Sequence, residues 1–160
     1  DLHLCLRRQR QMCIRDSTDA YGNNNTAATQ FNWTQDDTGP TMTITAAAGG
    51  SAVADGATTS DAALTLTFTS SEATTNFVVG DITVSGGSLS DFAATSATVY
   101  TATFTATADG ATTIDVAVNK FTDAQGNNNS AADQFNWTQD DTAPTMTITA
   151  AAGGLSLIHI

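Results

Sequence analysis

Apolar and polar residues alternate along much of this chain. Thr41 to Thr45 reads Thr-Met-Thr-Ile-Thr, Leu64 to Thr69 repeats the alternation, and Tyr100 to Thr107 extends it further. A period of two places successive side chains on opposite faces of a β-strand. Each segment is therefore predicted to be a half-buried strand with threonine on its outer face. The sequence shows no helical periodicity, and it predicts an all-β fold.

Seven strands are predicted, lettered A to G, at residues 41–45, 63–69, 77–85, 88–92, 98–107, 112–119 and 131–138. The turn dipeptides Asp55-Gly56 and Asp109-Gly110 separate some of them. About a hundred residues in seven short antiparallel strands are typical of an immunoglobulin-like sandwich. Its core is predicted to contain Phe68, Phe77, Ile82, Phe92, Phe104, Ile114, Val116, Phe135 and Trp137.

One part of the sequence occurs twice. Residues 18–50 and 122–154 match at 29 of 33 positions, with a constant offset of 104 residues. A period of this length is that of a whole domain and exceeds that of a solenoid repeat. We therefore interpret 18–37 as the last strand of a preceding repeat, 38–141 as a complete domain, and 142–154 as the first strand of a following repeat.

The two ends of the chain differ in character from this repeat. Residues 12–17, MCIRDS, and residues 155–160, LSLIHI, can be encoded by DNA strings that are reverse complements in different frames. The shared string resembles the adapter of transposase-based sequencing libraries. We therefore interpret 1–17 and 155–160 as translated adapter, with 1–17 expected to be disordered, and base no fold prediction on them. The alternative is a short basic N-terminal tail.

Removing these ends changes the chemistry that remains. The whole chain has a net charge of −11, but both cysteines, both histidines and all four arginines lie in the ends. Residues 18–154 keep 14 carboxylates and one cation, Lys120, for a net charge of about −13. This segment repels nucleic acid and anionic membranes, and it has no apolar run long enough to cross a bilayer. It suits a secreted or cell-surface bacterial protein.

Several short motifs occur in an order that is similar to a known family. They are SE at 71–72, GDITV at 80–84, TDAQGN at 122–127 and DTAPT at 141–145. Residues 18–154 resemble the bacterial Ig-like repeats of giant secreted adhesins. The resemblance implies an extended stalk that is stiffened by Ca²⁺ at the junctions between domains. One departure is Ala73, which follows Glu72 where many relatives carry proline.

The predicted topology gathers acidic residues at the two ends of the sandwich. If consecutive strands alternate in direction, the N-terminal linker and the BC, DE and FG loops share one end. That end collects Asp36, Asp37, Glu72, Asp81, Asp123 and Asn127 to Asn129. The other end collects Asp55, Asp61, Asp109, Asp140 and Asp141. In a tandem array the two ends face each other across each junction.

Carboxylates that converge without cations repel one another unless an ion neutralises them. Ca²⁺ takes six to eight oxygen ligands, whereas no His or Cys remains to suit zinc or copper. The sequence therefore predicts structural Ca²⁺ with ligands among Asp36, Asp37, Glu72, Asp81, Asp123, Asn127, Asp109, Asp140 and Asp141. The alternative is that these residues cap turns or form solvated surface.

The predicted function is mechanical. Repeats of a bacterial adhesin or biofilm-type surface protein would hold a terminal binding domain away from the cell, with neighbouring repeats as their partners. An enzyme is not expected, because residues 18–154 have no His, no Cys and no recognisable nucleophile or phosphate loop. Two alternatives stay open. The domain could bind a glycan or host protein, which exposed Trp33 or Trp137 would favour, or it could be an accessory module of a secreted hydrolase.

Overall fold

A computed structural model describes residues 18–26 and 29–149. In this part of the chain the strands are β1 (Met42–Ala48), β2 (Ser51–Val53), β3 (Ala57–Thr59), β4 (Ala63–Ser70), β5 (Ile82–Ser85), β6 (Gly87–Ala94), β7 (Val99–Ala106), β8 (Gly110–Val116) and β9 (Phe135–Gln139). A 3₁₀ turn (Val79–Asp81) precedes β5. The adapter interpretations of 1–17 and 155–160 lie outside the described residues.

The strands form two sheets, so the predicted all-β sandwich is confirmed. One sheet has the order β2-β1-β4-β7-β6, and the other has the order β3-β9-β8-β5. Alternation in β4 explains the packing, because Leu64, Leu66 and Phe68 are at most 1% exposed while the threonines between them face outward. β7 repeats the pattern with Tyr100, Ala102 and Phe104.

The predicted strand A is longer than expected, and the chain that follows it changes sheets. β1 turns at Gly49 and Gly50, whose φ values of 54° and 87° favour glycine, and β2 then pairs back onto it. The chain next crosses to the second sheet, where β3 runs parallel to β9 with Ala57 opposite Trp137. The sequence did not predict β2 and β3, because three residues carry too little alternation to stand out.

Phe77 lies at the centre of an aromatic cluster near one end of the core. Its ring centroid is 5.0 Å from that of Tyr100, 5.1 Å from Phe121, 5.7 Å from Phe92 and 5.8 Å from Phe68. The tilted and edge-to-face arrangements are those that aromatic rings favour. Because Phe77 lies in the β4–β5 connection and Phe121 in the β8–β9 connection, the cluster fixes these two loops against each other.

Most of the predicted core is found. Eight of the nine predicted side chains are buried, and Phe92 is partly buried at the margin. Phe121 is 1% exposed but was not predicted, since it lies in a loop beyond the end of β8. Strand F was predicted to continue to residue 119, whereas β8 ends at Val116 and Val118 is 52% exposed. Strands C and G begin later than predicted, at Ile82 and Phe135.

Tyr100 provides a test of this core. Its buried hydroxyl donates a hydrogen bond of 2.8 Å to the carbonyl oxygen of Thr74 in the β4–β5 connection. Tyr100→Phe removes this bond and is expected to cost about 1 kcal/mol, which lowers the melting temperature by roughly 4–8 °C in a domain of this size. Tyr21→Phe is the matched control, because Tyr21 is 91% exposed. Equal melting temperatures for the two variants would show that the hydroxyl of Tyr100 does not stabilise the fold.

Candidate metal centre

Three acidic side chains meet at one end of the sandwich, next to the aromatic cluster. Asp36 comes from the N-terminal linker, Glu72 from the β4–β5 connection and Asp123 from the β8–β9 connection. One carboxylate oxygen of each lies within 4.8 Å of the other two. Asp36 is exposed, Glu72 is partly buried and Asp123 is buried. These three residues are termed the acidic triad, and the end that holds them is termed the linker end.

Asp123 organises its own loop. Its Oδ1 accepts hydrogen bonds from the backbone N–H of Gln125 at 2.9 Å and of Asn127 at 2.8 Å. Its Oδ2 accepts a third from Nδ2 of Asn127, at 2.8 Å. The Asx turn that the sequence offered as the alternative to metal binding is therefore present. The two roles are compatible, because a carboxylate has about four lone-pair sites and three are used here.

The same loop forms in the first copy of the repeat. Oδ1 of Asp19 accepts hydrogen bonds from the N–H of Tyr21 and of Asn23, each at 2.9 Å, and its Oδ2 accepts one from the side chain of Asn23 at 2.9 Å. The described residues around Asp19 are exposed, whereas Asp123 is packed into the domain. Because both copies close in the same way, the loop owes its shape to its local sequence.

These contacts favour the ionised form of both aspartates. Burial raises the pKa of Asp123, but the hydrogen bonds from Asn127 and from backbone N–H groups outweigh it and hold this pKa below its usual value. The side chain of Asn23, followed by backbone N–H groups, lowers the pKa of Asp19. The buried member of the acidic triad therefore carries a negative charge at neutral pH.

The linker lies against the same loop. Nδ2 of Asn127 donates a hydrogen bond to the backbone oxygen of Asp36 at 3.2 Å as well as to Asp123. A Cβ placed on Gly39 would overlap the carbonyl oxygen of Asn128, so glycine permits the close approach of the two backbones. The carbonyl of Pro40 accepts a hydrogen bond of 3.0 Å from the N–H of Ser130. Asn127 was predicted as a ligand, and here it joins the linker to the loop.

Other predicted residues at the linker end have local roles. The carboxylate of Asp81 accepts the N–H of Val78 at 2.9 Å, which caps the 3₁₀ turn and leaves Asp81 outside the acidic triad. Asp37 is exposed and also lies outside it. Asn129 is buried, and its Oδ1 accepts the N–H groups of Lys120 at 2.7 Å and of Phe121 at 3.0 Å.

At the opposite end, Asp109 holds the exit linker. Its carboxylate accepts the N–H of Asp141 at 3.0 Å and the hydroxyl of Thr142. The Thr142 hydroxyl first, and then the Asp141 N–H, lower the pKa of Asp109. Asp140 donates its N–H to the carbonyl of Thr59 at 2.9 Å. Three predicted ligands, Asp109, Asp140 and Asp141, thus lie near one another, but in the described part of the chain only the acidic triad forms a group compact enough to share an ion.

Two further features at the end that holds the exit linker were not predicted from the sequence. Gln139 is 4% exposed, and its Oε1 has no hydrogen-bond partner among the described residues. With Asp109 and Asp141 it lines an open depression of about 460 Å³. Asp55, which the sequence placed at this end, instead accepts the N–H of Asn136 at 2.7 Å, near the start of β9. After the β1–β2 turn the chain runs back along the sheet, and Asp55 therefore lies away from the end that holds the exit linker.

The two tryptophans lie in different surroundings. Trp137 is 1% exposed, and its Nε1 donates a hydrogen bond of 3.1 Å to the Thr59 hydroxyl. Its copy, Trp33, is 48% exposed, and the nearby Phe31 is 68% exposed. Within the sandwich, tryptophan therefore serves the core and offers no surface on which a sugar could stack.

Comparison with known proteins identifies one family. A family model described as "Bacterial Ig-like domain" matches residues 36–138, which is more than half of the chain. No curated protein and no solved structure matches the chain. The matched region begins at the Asp36 of the acidic triad and ends one residue before the end of β9.

Acid stability tests the charge on Asp123. Because its pKa is lower in the folded than in the unfolded state, Asp123 stabilises the fold above the unfolded pKa of about 3.9, and this contribution is lost as the pH falls through the folded pKa. In Asp123→Asn, the fall in melting temperature between about pH 4 and pH 2 is expected to be shallower than in the unmodified protein. The control is Asp133→Asn at an exposed site, which should leave the slope unchanged. A slope unaltered in both variants would contradict the assignment.

Proposed function

Since the chain belongs to the bacterial Ig-like domain family, we propose that it is a spacer repeat of a bacterial adhesin or related surface protein. Domains of this family indicate an extracellular or surface structural module. No helix among the described residues is long and apolar enough to span a membrane. The proposed role is to hold a binding domain at a distance from the cell and not to catalyse a reaction.

The observation that carries this proposal is the position of the two linkers. The N-terminal linker lies with the acidic triad at one end, while the exit linker is held by Asp109 at the other. β1 starts opposite Ser70, at the last residue of β4, and β9 ends opposite Gly110, at the first residue of β8. In the proposed tandem array, successive domains would add their lengths end to end.

Short linkers favour a stiff array. β9 ends at Gln139, and the copy of Met42 follows at Met146, so six residues separate them. Within these six, Asp109 binds both Asp141 and Thr142. At the next junction the equivalents of Asp36 and Asp37 are Asp140 and Asp141, because the offset is 104. The linker would therefore be held by the preceding domain and would present an acidic residue to the following one.

We also propose that Ca²⁺ occupies the acidic triad and stiffens this junction. The support is chemical: three carboxylates within 4.8 Å of one another, one of them on the linker, offer the oxygen donors that Ca²⁺ prefers. Asn127 already joins Asp36 to Asp123, so the donors are partly arranged before an ion binds. An ion there would bind the linker to two loops and cancel the repulsion between the carboxylates.

The two alternative functions have less support. Trp137 is buried, so the sandwich itself offers no tryptophan to a glycan. Trp33 is 48% exposed, but it is the copy of Trp137 at the offset of 104 and would be buried in the same way in a complete repeat. An accessory role beside a secreted hydrolase would leave the same geometry, and no contact among the described residues favours it.

Calcium dependence of thermal unfolding tests the metal proposal. Melting temperatures of the chain would be compared in EDTA, in millimolar Ca²⁺ and in millimolar Mg²⁺. A ligand that binds only the folded state stabilises it by about 2.7 kcal/mol at a hundred times its Kd, so Ca²⁺ should raise the melting temperature by several degrees and Mg²⁺ should not.

Matched variants separate triad binding from general charge effects. Glu72→Gln keeps the size of the side chain but removes one ligand charge, and it is expected to lose most of the Ca²⁺ shift. Asp133→Asn removes the same charge from an exposed position and should retain the shift. Absence of any Ca²⁺ shift, or equal shifts in both variants, would remove Ca²⁺ from the triad and leave the spacer proposal in place.

Small-angle X-ray scattering tests the spacer itself. In chains with one, two and three 104-residue units, the maximum dimension should rise by a constant increment per unit, because the linkers leave from opposite ends. If the dimension rises much more slowly with added units, the repeats fold back on one another and the spacer proposal fails.

A further inference from the structure

The longest free edge of the sandwich is β6. Each sheet ends in two edge strands, and in the described part of the chain these are β2 and β6 in one sheet and β3 and β5 in the other. β2 and β3 have three residues each and β5 has four, whereas β6 has eight. Apart from its ladder with β7, β6 makes no backbone hydrogen bond to another described residue. An unpaired edge of this length is a template on which a strand of another molecule can add.

A β-bulge interrupts this edge. The register of β6 against β7 shifts by one residue between Ser90 and Ala93, so that Asp91 and Phe92 oppose a single residue of β7, Ala102. Asp91 has a φ of 53°, in the left-handed region that disfavours residues with a side chain. A strand bent in this way does not present a continuous row of N–H and C=O groups to a partner.

The core does not require the extra residue. If Asp91 were deleted, Phe92 would lie two positions after Leu89 and opposite the buried Ala102. Phe92 would then face the core as it does now, where its ring stacks on that of Tyr100 with centroids 5.9 Å apart. The residue pairs on either side of the bulge would keep their partners. The extra residue therefore adds a break in the edge and no buried side chain.

Asp91 also carries the one charge in this part of the chain. It is the only charged residue between Asp81 and Asp109, a stretch that contains β5, β6 and β7. Its side chain is exposed, and its Oδ2 accepts a hydrogen bond of 2.9 Å from the Ser90 hydroxyl. Bulges and charged residues are two of the devices that keep sheet edges from pairing with one another. Both occur here at one residue, on the longest of the four edges.

We propose that the bulge at Asp91 prevents β6 from pairing with the β6 of a second copy of this domain, and that a straight β6 edge would join two sandwiches side by side. Two β6 strands related by a twofold axis can pair antiparallel, which would merge two five-stranded sheets into one. Copies of this domain in one array would meet at high effective concentration with identical edges. The inference rests on the β6 edge and is independent of the spacer role and of Ca²⁺.

Three variants separate the bulge from the charge. Deletion of Asp91 removes both. Deletion of Ser90 also straightens the strand, because it removes one residue from the same segment, but it keeps the carboxylate. Asp91→Gly removes the carboxylate and keeps the bulge, because glycine adopts a positive φ readily.

The oligomeric state of each chain would be measured by size-exclusion chromatography with light scattering over a range of concentrations. EDTA keeps metal ions from the acidic triad, and a reducing agent keeps Cys5 and Cys13 from cross-linking two chains. The unmodified chain and Asp91→Gly should be monomeric. Both deletion variants should form dimers, with a dissociation constant lower than that of the unmodified chain by about tenfold or more.

Amide hydrogen exchange locates the contact within the dimer. The N–H groups of β6 that do not bond to β7 should exchange more slowly in the deletion variants than in the unmodified chain. Those of β2, at the other edge of the same sheet, should exchange at an unchanged rate and serve as the internal control. Protection that appears at β2 and not at β6 would place the contact on another surface and overturn the proposal.

The remaining outcomes also decide against it. If the deletion variants fold, as judged by circular dichroism and thermal unfolding, and stay monomeric, a straight β6 edge does not attract a second copy. If Asp91→Gly associates as strongly as the chain without Asp91, the carboxylate protects the edge and the bulge does not. If neither deletion variant folds, the extra residue is required by the fold itself and is not a protective device. None of these results alters the dimensions by which scattering tests the spacer proposal.

Discussion

The packing of Phe77 against four other aromatic rings is the interaction on which the rest of this domain depends. Large apolar side chains are few, because aromatic residues make up only 7% of the chain. Residues 18–154 also contain no cysteine that could form a disulfide. Burying a phenylalanine contributes about 1.5–3 kcal/mol, so a cluster of five rings is a large share of the available stabilisation. Because Phe77 and Phe121 belong to the two long connections at the linker end, the same packing positions Glu72 and Asp123.

Alternation predicted the larger part of the fold because most of it consists of half-buried strands. It failed where burial has no period of two. Phe121 is buried from a loop, β3 is held by parallel pairing to β9, and the residues before β5 form a 3₁₀ turn capped by Asp81. Each of these depends on contacts between residues distant in sequence or on a backbone hydrogen bond, neither of which a local pattern contains.

The candidate site could be predicted in part for a related reason. Alternating strand direction was sufficient to place Asp36, Glu72 and Asp123 at one end, and they lie together there. It could not distinguish them from Asp81, whose position is equally close in the topology but whose carboxylate is used by Val78. The loop around Asp123 is a different case. Its copy at Asp19 closes in the same way outside the sandwich, so this half of the site is formed by local sequence and only its partners require the fold.

The parallel pairing of β3 with β9 has a consequence for how the domain responds to force. Tension applied through the two linkers acts at opposite ends of the sandwich and runs along the strands. The β3–β9 hydrogen bonds, from Ala57 opposite Trp137 to Thr59 opposite Gln139, and the adjoining bond from Asp140 to Thr59, are then loaded together in shear. Bonds loaded in shear must break nearly at once, whereas bonds that are unzipped break one at a time. In a repeat under tension, this three-residue strand, which the sequence pattern did not predict, would act as a mechanical clamp between the first and last parts of the domain.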